Sequence, residues 1–264
     1  MSATIAPSIA PTNPRKPGQF KLDREQIAFF HENGFIGPLT LCPPEEMAGL
    51  RRRIETEVLT TVGPNPKNPS QCRHIDKRVV FDIVTDPAVL DPMQSLYGAD
   101  LICWATYFFT KEPGGVEIPW HQDLNYWPIE PLINISAWIA IDRVTKANSC
   151  VQLIPGSHKS IVPHIKSVGE MAFGEMADPV YVDQSKVIDI ELEPGQFFLF
   201  TEKTLHHSNK NVSNMRRMGL TARMTLPIVK ISHEVPPLFP GHVALIASGR
   251  DTMGFNRIGN PPTA

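Results

Sequence analysis

From Leu101 to about Val229 the chain breaks into short β-prone runs: LICWATYFFTK, INISAWIAID, CVQLIPG, KVIDIEL, GQFFLFT and GLTARMTLPIV. Pro, Gly and Asn separate many of them, and no long helical pattern lies between. Strands this short, linked by turns rather than helices, predict a β sandwich or barrel and argue against βαβ units.

Ahead of this region the texture is helical. In LDREQIAFFHENGF, Asp23 is placed to cap a helix, Ile27, Phe29 and Phe30 form its apolar stripe, and Asn33-Gly34 stops it. A second helix is expected over PPEEMAGLRRRIETEVLT, where Pro43 and Pro44 precede an acidic first turn. A third is expected over DPAVLDPMQSLYG, ending at Gly98, and TVGPNPKNPSQCRH between them reads as irregular loop. The domain reading is a flexible Pro-rich arm over 1–20 and a single domain over 21–264. Within that domain, 21–100 is helical, about 101–230 is the β core, and 231–264 is a covering segment.

Composition narrows the function classes. A formal net charge of -2 over 264 residues argues against a chain built to hold nucleic acid. Arg51-Arg52-Arg53 reads as one solvated helix face. No apolar run reaches the roughly 18–20 residues that span a bilayer, and the N-terminus lacks the pattern of a secretory signal. Cys42, Cys72, Cys103 and Cys150 form no CxxC pair, so a reducing compartment is expected and the cytoplasm is the default. Nothing signals oligomeric state; a homodimer is the working assumption.

The most informative segment is PWHQDLNYW. In extended chain His121 and Asp123 project together while Gln122 faces away, which supplies two ligands of a 2-His-1-carboxylate metal site. The third must come from elsewhere, and His206 and His207 stand together in TLHHSNKNVSNMRRMGL after the apolar run GQFFLFT. Adjacent strand residues face opposite sides, so one of the pair reaches a metal shared with His121. Arg217 follows His206 by 217 − 206 = 11 residues. A buried arginine clamps a carboxylate through a bidentate fork, and Ser208 offers a hydroxyl beside it. Arg216 faces the other way.

These segments, with the opening REQIAFFHENGFIGP and the stretches ISAWIAIDRVTKANSCVQLIPGSHK and LEPGQFFLF, resemble the phytanoyl-CoA dioxygenase family of iron(II)/2-oxoglutarate oxygenases over roughly residues 22–225. The resemblance implies a mostly β fold with flanking helices around a double-stranded β-helix, the jelly-roll or cupin-like core. It implies His121, Asp123 and His206 as iron ligands and as the catalytic centre. His206 is favoured because it opens H-x-S and stands eleven residues before the arginine. His207 replaces the family's common Gly. Arg217 and Ser208, with Trp138 and Lys111 alongside, are implied to bind 2-oxoglutarate. His158 in PGSHK is read as structural.

The implied chemistry consumes dioxygen and 2-oxoglutarate, releases succinate and carbon dioxide, and oxidises a C–H bond. The carboxylate at Asp123 favours oxygenation over halogenation, and the motif does not select among hydroxylation, desaturation, epoxidation and ring formation. Asn125, Tyr126, Trp127, Tyr107 and Trp104 are candidate substrate contacts. With no basic stripe for a CoA phosphate, the expected substrate is a small metabolite or biosynthetic intermediate. The rival reading is a cupin-like metalloenzyme that does not use 2-oxoglutarate, to which Arg217 and Ser208 give no evident purpose. A non-catalytic binding protein on the same scaffold would carry a broken triad.

Overall fold

A computed structural model describes residues 15–263. Four α-helices lie ahead of most of the strands: α1 (Arg24–Asn33), α2 (Pro44–Arg53), α3 (Arg78–Val84) and α4 (Pro87–Tyr97). Asp23 caps α1 in a reciprocal capping box with Gln26, and Gly34 ends it at φ 79°, a left-handed angle that favours glycine. After α2 the chain widens into a π turn over Ile54–Val58, which buries Ile54 and Val58. Asp86 caps α4 through the Ala88 amide. The sequence reading missed α3: RVVFDIV is β-branched and short, and burial of Val79, Val80, Ile83 and Val84 overrides its propensity.

The strands are β1 (Phe35–Thr40), β2 (Leu101–Lys111), β3 (Ile118–His121), β4 (Ile129–Glu130), β5 (Ile135–Ala140), β6 (Val151–Leu153), β7 (His164–Lys166), β8 (Glu175–Ala177), β9 (Ile188–Ile190), β10 (Gln196–Thr201), β11 (His206–Ser208), β12 (Arg217–Thr225), β13 (Lys230–Ile231) and β14 (Leu245–Ser248). A six-stranded sheet runs β1-β10-β5-β12-β2-β14 and a four-stranded one runs β3-β11-β6-β9. Their antiparallel ladders form the expected jelly-roll core.

Side-chain alternation divides the large sheet between two tasks. Met218, Leu220, Ala222 and Met224 of β12 join Phe197 and Leu199 of β10 in the core shared with the helices. Trp138 of β5 and Phe198 and Phe200 of β10 belong to a second cluster with Val151 and Leu153 of the smaller sheet. The odd positions of β12, Arg217, Gly219, Thr221 and Arg223, therefore point between the sheets, where the site lies.

One bulge breaks the alternation. Arg223 pairs with Ala105 and Met224 with Cys103, leaving Trp104 as an extra residue in β2. Trp104 is thereby turned into a separate cluster with Trp127 and Phe239, fully buried, and its Nε1 donates to Asn134 Oδ1 at 2.8 Å.

Two terminal expectations are refined. Residues 1–14 of the arm lie outside the described residues. Arg15 pairs with Glu46 at 2.7 Å and Asp86 at 3.0 Å, and the amides of Gly18 and Phe20 both donate to Asp91. The segment after Ile231 does more than cover the core, since β14 completes the edge of the large sheet against β2. Among the described residues no helix is long and apolar enough to cross a membrane.

Candidate metal centre and cosubstrate pocket

His121 ends β3 and Asp123 opens the turn that follows, so one short segment presents both. Gln122 between them faces away. Its amide nitrogen donates to the Ser160 and Lys203 carbonyls and its oxygen accepts from the Val162 amide, fixing where the pair points. Antiparallel pairing then sets His206 of β11 directly opposite His121. One ligand atom from each of the three groups lies within 4.8 Å of the others.

Hydrogen bonding prepares these atoms. His121 Nδ1 lies 2.8 Å from the Pro119 carbonyl and His206 Nδ1 lies 2.9 Å from the Thr204 carbonyl. Carbonyls only accept, so each Nδ1 carries the proton and each Nε2 keeps its lone pair. Those Nε2 atoms stand 3.5 and 4.0 Å from the two Asp123 oxygens.

The charge states agree. Burial, and next the His121 imidazole, lowers His206 to about 4. Burial pushes Asp123 upward, but the Arg223 guanidinium, and next the neighbouring His121 and His206 rings, overcome it and hold the carboxyl at about 2. Two imidazoles with Nε2 turned inward and one carboxylate, brought together by β3, β11 and the turn after β3, fit a divalent metal of the 2-His-1-carboxylate type.

His207 faces away from this convergence. Its ring stacks on Trp120 at 4.1 Å and its Nε2 meets the Gln152 side chain, although it borders the same cavity. Arg216 likewise leaves the interior, reaching Asp142 at 2.8 Å and Glu55 at 2.6 Å.

Arg217 enters the cavity that the triad lines. It is 1% exposed, its Nε and Nη2 have no hydrogen-bond partner among the described residues, and its guanidinium lies 5.3 Å from the Trp138 ring. Burial lowers it to about 10. A buried guanidinium with open donors is costly until an anion meets it. Ser208 borders the same cavity and its Oγ accepts from Lys111 Nζ at 2.8 Å, which leaves the hydroxyl proton for a ligand.

Lys111 does not line the cavity as expected. Its Nζ also lies within hydrogen-bond distance of Ser149 Oγ and of the Ser208 and Asn209 carbonyls, sharing its three protons among these acceptors and tying β2 to the strand that carries His206. Burial, and next Arg217, press it down to about 7. Gly219 is required beside Trp138, because a Cβ there would come within 2.2 Å of the indole.

A larger cavity of about 1040 Å³ opens from Asp123 and Arg223. Tyr107, Tyr126 and Trp127 line it, as do Phe109, Phe173 and Pro236–Pro240. Trp104 and Asn125 do not: Trp104 is core, and Asn125 holds Glu175 through its Nδ2 at 2.8 Å. The sequence reading missed Arg223 and Phe173. Arg223 was available from alternation along β12, whereas Phe173 sits in a loop with no periodic signal.

Comparison with known proteins follows the same lines. The family model described as phytanoyl-CoA dioxygenase (PhyH) matches residues 30–219. A probable phytanoyl-CoA dioxygenase of Caenorhabditis elegans is 26% identical over 222 residues, covering 72% of this chain and 71% of the relative. The peroxisomal phytanoyl-CoA dioxygenase of Homo sapiens is 24% identical, covering 77% and 70% respectively. The solved structure of CytC3 with Fe(II) and alpha-ketoglutarate aligns at TM-score 0.73 with 24% identity, covering 92% of this chain and 95% of that one.

Proposed function

The chain belongs to the phytanoyl-CoA dioxygenase family, an oxidoreductase family dependent on iron(II), 2-oxoglutarate and dioxygen, and we propose that His121, Asp123 and His206 hold its iron. Arg217 and Ser208 grip the distal carboxylate of 2-oxoglutarate in this reading, and the outer cavity takes the substrate. Bound there, iron(II) and 2-oxoglutarate supply the chemistry that oxidises a substrate C–H bond with dioxygen while releasing succinate and carbon dioxide. One oxygen atom enters succinate and the other the product of a hydroxylation.

The convergence of the triad on the cavity that holds the unpaired Arg217 supports this assignment most directly. The residues contribute positioning and charge. The Pro119 and Thr204 carbonyls hold the two imidazoles in the tautomer that ligates. Trp138 props the Arg217 guanidinium, and Gly219 leaves room for that indole. Phe200 and Phe173 border the inner cavity and limit water beside the reacting groups. A metalloenzyme without 2-oxoglutarate would leave Arg217 buried and unmatched.

The substrate is an organic metabolite of natural-product size. A cavity near 1040 Å³ lies just above the roughly 300–1,000 Å³ usual for small-molecule sites. We place the enzyme in the cytoplasm on its four free, buried cysteines, noting that the human relative is peroxisomal. The assembly is proposed to be a homodimer, which light scattering tests.

The test is succinate release with iron(II) and 2-oxoglutarate under air. Wild type and His207→Ala are expected to turn over 2-oxoglutarate slowly without substrate, and His206→Ala to release none. Equal release by the His206 variant and wild type contradicts the ligand assignment.

A further inference from the structure

Arg223 stands where the inner and outer cavities meet and lines both, whereas Arg217 lines only the inner one. It is 8% exposed, and its Nε is buried without a hydrogen-bond partner among the described residues. Its guanidinium lies 4.8 Å from the Trp127 ring, which fixes the plane of the fork. Among the described residues the acid within 4 Å is Asp123, whose Oδ1 is 3.9 Å from Nη2 and beyond hydrogen-bond range. That carboxylate also faces His121 and His206, so a metal there takes up its charge.

The charges around the outer cavity point the same way. Besides Asp123 and Arg223 its lining holds Lys67, exposed at the rim, and Glu234, which is paired with Arg257 at 3.0 Å. With Asp123 committed to metal, the described residues of the lining offer unmatched positive charge and no free carboxylate. The remaining wall is largely aromatic or proline, including Phe109, Phe173 and Phe239. A buried, rigidly held fork with open donors is the feature that recognises a planar anion, and apolar walls recognise an apolar body.

We infer that Arg223 is the specificity-determining residue of this enzyme, and that its substrate is an apolar organic acid whose carboxylate is held by that guanidinium. The inference rests on the oxygenase reading above. Since Arg223 and Asp123 border the same opening, the oxidised carbon lies close to the carboxylate end of the molecule.

The test uses small aromatic acids that fit the outer cavity whatever the natural body: benzoate, phenylacetate and 3-phenylpropionate, each against its primary amide. Binding is measured without oxygen by calorimetry, with iron(II) bound and 2-oxoglutarate saturating so that Arg217 is occupied. The charge-transfer absorption of the iron–2-oxoglutarate complex is followed in parallel. In wild type at least one acid is expected to bind about tenfold or more tightly than its amide. Arg223→Gln is expected to bring that ratio near one while keeping the absorption, and Arg223→Lys to restore part of it.

Acids that bind no better than amides in wild type, or a preference that survives in Arg223→Gln, overturn the inference. Loss of the absorption in Arg223→Gln also overturns it, because the arginine would then serve the metal site. Absence of the absorption in wild type contradicts the oxygenase reading itself, and this inference with it.

Discussion

His206 pairs with His121 across the β3–β11 ladder, and their ring centroids lie 4.1 Å apart. That single register turns two histidines 206 − 121 = 85 residues apart into neighbours. It also turns His206, and not His207, toward His121, because neighbouring strand residues face opposite sides.

Replacing Asp123 with Ala is expected to abolish substrate oxidation and to weaken iron binding while the protein stays folded. Asp123 is buried and ionised beside Arg223, so Asp123→Asn, which keeps the shape, isolates the charge. Metal content and circular dichroism check this together. Wild-type turnover by Asp123→Ala contradicts the triad.

Adjacent arginines are expected to separate cleanly. Arg217→Ala should raise the 2-oxoglutarate requirement about 10- to 100-fold, the worth of a charge-assisted pair. Arg216→Ala removes the part-exposed contacts to Asp142 and Glu55. It should cost about 1 kcal/mol of stability and leave the 2-oxoglutarate KM unchanged. Steady-state kinetics and urea melts distinguish the two.

Gly219→Ala should act at a distance through Trp138. The added methyl would meet the indole at 2.2 Å, so the ring that supports Arg217 must move. Overpacking of this kind costs about 1–3 kcal/mol. The expected result is a lower Tm together with a raised 2-oxoglutarate KM. A change in Tm alone would show that Trp138 does not position the arginine.

Acid should destabilise the metal-free protein over a defined window. Burial lowers His206 and His242 to about 4 and His74 and His207 to about 3. Each is neutral in the fold and charges near pH 6.5 when unfolded, so its contribution is fully present above about pH 6.5. It is lost as pH falls from there toward the folded values. Each such histidine adds at most about 1.4 kcal/mol per pH unit to the slope. Chemical denaturation between pH 8 and pH 4 measures it, and a flat profile contradicts the burial of these rings.

Much of the fold and site was legible because it depends on local rules. Asp23, Gln26 and Gly34 mark α1 by capping chemistry, and the β-prone runs from Leu101 onward fall on β2, β5, β6, β9, β10 and β12. The spacing of His121 and Asp123 makes them candidate ligands, and the family resemblance, more than the spacing itself, marks Arg217 eleven residues after His206. Trp104 was misplaced because a bulge, which depends on the partner strand, turned it out of the alternation. α3 and β14 escaped notice because tertiary burial, and not propensity, makes them regular. Arg223 was written in the alternation of β12 but has no motif of its own.

The most direct test is anaerobic titration of iron(II) with and without 2-oxoglutarate, watching the visible charge-transfer absorption of the chelate. The account predicts that the band forms in wild type and in His207→Ala, and is lost in His121→Ala and His206→Ala. Iron bound without any band on adding 2-oxoglutarate would remove the cosubstrate from this site. A band lost in His207→Ala but kept in His206→Ala would show that the other imidazole holds the metal.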